Sequence, residues 1–207
     1  MKYIMLICSL ILCSCQSNTD KASTEHNDTL QKNTLFPKVN DEFTLFLNNF
    51  KAMTLPIAIK GCGMNFDNFK HFDGKQFSKY TDEYSLAYGH IVTNGNYLAT
   101  ITMTAGDCYV PVLTTYKLTG EKIDQKTISV GGCGSGPGFN CEEFMIIRKD
   151  FSIYTSDSIS TFEYDSLGNE IEGTRKYYVN YIKGKMLKNG KIEMSNPVNK
   201  PLPQSKN

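Results

Sequence analysis

Hydrophobic and polar positions fall into three regimes along the chain. Ile4 to Cys13 is an apolar run behind Lys2, and from Gln16 to about Asn40 large apolar side chains almost vanish. They return at Phe43, Phe46, Leu47 and Phe50 with the i, i+3, i+4, i+7 spacing of one helical stripe. Asp41 and Glu42 sit in its first turn and Lys51 in its last, as the helix dipole prefers, and Pro56 stops it. A second helical or turn-rich segment is expected over 66–80, anchored by Phe66, Phe69, Phe72, Phe77 and Tyr80 and interrupted by Gly74. Beyond it the period changes to two. Residues 90–93, 97–104, 109–116, 144–147, 151–154 and 177–181 read as β-branched and aromatic strands. Asn94-Gly95 marks a hairpin, because both central residues of a type I′ turn need positive φ. Gly120, Gly168 and Gly190 close three similar turns, each with an isoleucine two or three residues beyond. The short connections require antiparallel pairing. The expected fold is α+β and mostly antiparallel β, with the N-terminal helix packed on a meandering sheet or open barrel. The near-equal spacing of Gly74, Gly120 and Gly168 leaves a small β-propeller as the alternative.

The apolar run is too short for a membrane span, which needs roughly 20 residues. With its positive head and small residue before Cys15, it has the parts of an export signal. Leu12-Cys13-Ser14-Cys15 resembles the lipobox of bacterial lipoproteins. The resemblance implies cleavage before Cys15 and acylation of that cysteine, so that lipid holds the protein to a membrane. Gln16 stands where an Asp would, by resemblance, mark inner-membrane retention. The expected address is therefore the cell envelope at the outer membrane, on either face. The expected organisation is a signal peptide over 1–14, a lipidated cysteine and flexible tether over 15–40, one β-rich domain over 41–195 and a disordered, proline-rich tail over 196–207. A formal net charge of +1 gives no pointer to a nucleic-acid partner.

With Cys15 lipidated, Cys62, Cys108, Cys133 and Cys141 remain in an oxidising compartment, where two disulfides are expected. Cys133 and Cys141 flank the flexible Gly-Ser-Gly-Pro-Gly loop and form the favoured pair, leaving Cys62 with Cys108; Cys108 to Cys133 is the alternative. A zinc site lacks its usual paired C-x2-C knuckles, so neither metal nor cofactor is expected.

No catalytic constellation stands out. The glycines of 131–138 lack the Gly-Lys-Ser/Thr ending of a phosphate loop. Of the three histidines, His26 lies in the tether, His71 has no partner pattern and His90 begins a strand within reach of a carboxylate such as Asp107. Asp82-Glu83 and Glu142-Glu143 are adjacent pairs that a strand would turn to opposite faces, and both read as solvated charges. Twelve tyrosines and twelve phenylalanines, with no tryptophan, supply core and cross-strand pairs and, where exposed, a platform for a partner or glycan.

The Phe43–Phe50 stripe before Leu55-Pro56, the Thr114–Asp124 hairpin, Lys149-Asp-Phe-Ser-Ile-Tyr154 and the Gly190-Lys-Ile192 turn together resemble a diffuse group of uncharacterised Bacteroidota-type lipoproteins. Given that origin, Thr29, Ser158 and Ser166 match the Asp-Ser/Thr-aliphatic triplet that such bacteria O-glycosylate. The resemblance transfers no catalytic residue. The expected function is a non-catalytic envelope module that binds a protein, glycan or small ligand. The alternative is a hydrolase whose carboxylates and His90 meet only in three dimensions.

Overall fold

Helix α1, Asp41–Leu47, buries Phe43 and Phe46 as its stripe predicts, but it ends earlier than Pro56 requires. Its last turn tightens into i→i+3 bonds, from Asn49 N–H to Phe46 and from Phe50 N–H to Leu47. The Asn49 side-chain amide donates to the Leu45 and Phe46 carbonyls, at 2.9 Å each, in addition to the N–H that Phe46 already accepts. Lys51 therefore lies beyond the helix, and its carbonyl accepts the His90 N–H at 2.9 Å. The structure is a computed structural model that describes residues 41–60, 69–72, 75–93, 95–105, 108–131 and 133–203. Cys15, Thr29, Cys62 and Asp107 lie outside the described residues.

Of the helical and turn-rich readings of 66–80, the described part follows the second: residues 75–80 form successive turns. The aromatic anchors hold nonetheless, with Phe72, Phe77 and Tyr80 buried against α1.

Among the described residues the strands form two sheets rather than one meander or a propeller. The first contains β1 (Ala52–Met53), β3 (Lys70–His71), β4 (Leu86–Val92), β5 (Tyr97–Thr104), β6 (Val110–Lys117) and β7 (Lys122–Thr127). Its order is β1-β4-β5-β6-β7 with β3 also on β4; β1 runs parallel to β4 and every other pair is antiparallel. The second contains β2 (Ile57–Lys60), β8 (Ser135–Gly136), β9 (Phe139–Ile147), β10 (Ser152–Thr161), β11 (Lys176–Met186), β12 (Ile192–Met194) and β13 (Val198–Leu202). Its order is β12-β11-β10-β9-β2, with β13 on β11 and β8 on β9, antiparallel throughout. The protein is thus α+β and mostly antiparallel β, as its periodicity predicts.

The tail is a second correction. Residues 198–202 pair with 177–181 of β11 instead of remaining disordered. Pro201 is tolerated because an edge strand can leave one backbone position without a donor.

Two cores result. Ile57, Ile59, Met145, Ile147, Ile153, Met186 and Ile192 of the second sheet meet Leu86, Ile91, Ala99, Ile101, Met103 and Leu113 of the first. This alternation of inward apolar residues holds the sheets face to face. On the other face of the first sheet, Phe43, Phe46 and Phe50 pack with Phe72, Phe77, Tyr80 and Tyr116, ring centroids 4.9–6.2 Å apart. Burial raises the Tyr116 hydroxyl pKa, and that hydroxyl donates to the Tyr80 carbonyl at 2.7 Å. The β11–β12 turn is tied across to the first sheet. Thr115 Oγ1 donates to the Gly190 carbonyl at 2.6 Å, and Ile192 N–H donates to Asp124 Oδ2 at 3.0 Å.

Candidate functional site

Four turns share one hydrogen-bond pattern, in which the first residue donates to the fifth and the fourth donates to the first. They begin at Lys117, Arg148, Asp165 and Leu187. The fourth position takes the left-handed conformation, and three of the four turns supply the expected glycine, at 120, 168 and 190, with φ of 89°, 84° and 83°. The turn between β9 and β10 supplies Phe151, with φ 64°. A left-handed conformation costs a non-glycine residue roughly 1–2 kcal/mol, and such outliers persist where a side chain is wanted in that place.

Phe151 is half-buried, packs on the inter-sheet core and donates no strand periodicity of its own. Together with Tyr97, Met186 and Leu187 it forms the apolar wall of a cleft of about 490 Å³. Three turns converge there: β4–β5 brings Thr93 and Asn96, β9–β10 brings Asp150, and β11–β12 brings Lys185 and Lys188. Asp150 is engaged locally, accepting from Ser152 Oγ at 2.7 Å and Ser152 N–H at 3.1 Å, which holds its carboxyl below the usual range. The lysines are exposed. The cleft thus offers an apolar body with Lys185, Lys188 and the locally engaged Asp150 carboxylate at its rim.

Near the far ends of β9 and β10 the second sheet carries a different chemistry. Residues 153, 155, 157 and 159 of β10 face the core, which places Asp157 among Ile153, Thr155 and Ile159, 1 % exposed. Its cross-strand neighbours are Glu143 on β9 and Asn180 on β11, and Asn180 in turn faces Asn199 on β13. Burial, then the charge of Glu143, pushes the Asp157 carboxyl up to about 6. Asp157 Oδ1 is buried without a hydrogen-bond partner. Glu143 accepts from Ser129 Oγ at 2.7 Å, and Ser129 Oγ accepts from Gly131 N–H at 3.1 Å. The acidic doublet is therefore not two solvated charges. Glu142 is exposed, whereas Glu143 faces Asp157.

Above this pair the 131–141 loop is closed by the Cys133–Cys141 disulfide, the favoured pairing. One carboxyl oxygen of Asp157 and both sulfurs lie within 4.8 Å of one another. Cys108 is disulfide-bonded too, with its sulfur 3.4 Å from the Cys133 carbonyl oxygen. Its expected partner, Cys62, is outside the described residues. At the open end of the sheet, Tyr177, Tyr178, Asn180, Asn199 and Pro201 line a shallower groove of about 730 Å³.

The other sequence candidates do not converge on either place. His90 pairs across β4 and β5 with Thr100, which in turn faces Thr114, on the face of the first sheet turned toward α1; its Nδ1 is buried without a partner. Asp157 lies on the second sheet, so the structure does not bring the two together. His71, Asp82 and Glu83 are exposed. Ser158 is exposed mid-strand, and Ser166 is exposed in the turn where Asp165 Oδ1 accepts from Leu167 and Asn169 N–H. No helix among the described residues is long and apolar enough to cross a membrane. Comparison of the chain with known protein families, curated proteins and solved structures returned no match.

Proposed function

We propose that the protein is a lipid-anchored envelope module, attached through Cys15 at the outer membrane, that binds a small amphiphilic anion in the Phe151 cleft without transforming it. The observation that carries this reading is Phe151 itself. Three sister turns use glycine in the same backbone position; two of the four turns wall the cleft, and the one between β9 and β10 places a bulky ring there. Apolar surface from Tyr97, Phe151, Met186 and Leu187 suits the ligand's hydrocarbon or aromatic part, and Lys185 and Lys188 suit its acid group. A protein or glycan occupant would instead use the Tyr177–Asn199 groove, whose exposed ring and paired amides fit sugars better than acids.

The dye 1-anilinonaphthalene-8-sulfonate has the required chemistry and fluoresces on apolar binding. It is expected to bind with one-to-one stoichiometry. The Lys185→Ala/Lys188→Ala double variant should weaken binding about tenfold and remove most of its salt dependence. Unchanged affinity in that variant and in Phe151→Gly would refute the site.

A further inference from the structure

We propose that the Cys133–Cys141 disulfide is redox-active, exchanging with dithiols, and that Asp157 carries the proton for the exchange. Structural disulfides are ordinarily sealed among apolar or backbone groups. This one lies over a buried carboxyl, one oxygen of which is within 4.8 Å of both sulfurs and whose Oδ1 makes no hydrogen bond. The two sulfurs are unequal: Cys133 is 6 % exposed, whereas Cys141 is half-buried at the edge of the loop. A thiolate therefore reaches Cys141 first.

In that step a new S–S bond forms between the reductant and Cys141, and the Cys133–Cys141 bond breaks. Its electron pair goes to Cys133 Sγ, which takes the proton from Asp157. The reductant's second thiol loses its proton to the Asp157 carboxylate and attacks the reductant sulfur of the mixed disulfide. Cys141 departs as a thiolate and is protonated by solvent. The dithiol is oxidised to a disulfide, the protein gains two thiols, and Asp157 ends as it began.

Both protonation states of Asp157 are accessible near neutrality, because burial and Glu143 raise its carboxyl to about 6. The groups facing it are Glu143 from β9, Asn180 from β11 and the disulfide from the loop. Among these neighbours there is no cation to hold it ionised.

The test is the rate at which dithiothreitol opens this bridge, followed by alkylation and mass spectrometry of the 133–141 peptide so that Cys108 is scored separately. The wild-type pH profile should show an inflection near 6 in addition to that of the reagent thiol. Asp157→Asn should lose the inflection and react at least tenfold more slowly at pH 6.5. Glu143→Gln should keep the reactivity and move the inflection to lower pH. Circular dichroism on each variant separates a folding defect from a chemical one. Identical profiles in wild type and folded Asp157→Asn, or a 133–141 bridge that resists millimolar dithiothreitol in the folded protein, would overturn the proposal.

Discussion

At the scale of single residues, Asp157 is a costly placement. A carboxyl buried beside Glu143 favours its protonated form, so the folded state binds a proton that the unfolded chain has already lost. The sign follows directly. This group's contribution is most favourable below the ordinary carboxyl value of 3.8, declines as pH rises toward about 6 and is flat above it. Asp157→Asn should therefore be more stable than wild type by about 1–2 kcal/mol at pH 7.5, after allowance for screening, with no difference at pH 3.5. Thermal midpoints across that range check this. A variant less stable than wild type at pH 7.5 would mean that an unseen partner stabilises the charge. The sequence hid this residue for a definite reason. In Ser152–Thr161 the inward positions read Ile, Thr, Asp, Ile, and one acid in such a row looks like an outward turn of the strand. The signal lay in the unbroken alternation on either side of it.

At the scale of elements, the repeated glycine turn is the clearest link from sequence to site. Glycines 120, 168 and 190 were legible because positive φ demands them. The fourth turn was not, because Phe151 occupies the glycine position and disguises it. Replacing Phe151 by alanine or glycine removes the same ring, but only glycine also relieves the backbone. Phe151→Gly should thus be the more stable of the two by about 1 kcal/mol, measured by urea unfolding. Equal stabilities would show that the turn carries no strain. Helix α1 was read correctly as a stripe and incorrectly as a length, since Asn49 caps its carbonyls before Pro56 is reached. The tail's prolines predict disorder, but β11 offers an edge that receives residues 198–202.

At the scale of the whole molecule, periodicity was enough to give fold class and the glycine-rich loop to give the 133–141 pairing, because both depend on neighbours in the chain. The division into two sheets was not accessible. The chain changes sheet between β1 and β2, between β2 and β3 and between β7 and β8, long-range choices that local periodicity does not mark. The cleft arises from that division, since its walls come from turns of both sheets. Its occupancy is the claim on which the functional account rests. Amide and methyl NMR spectra of the isotopically labelled protein, titrated with a series of small aromatic and aliphatic acids, test it most directly. The account predicts shifts concentrated at Tyr97, Phe151 and Met186 to Lys188, absent with the matching uncharged amides. Shifts confined to Tyr177, Asn180 and Asn199, or no saturable shifts anywhere, would contradict it.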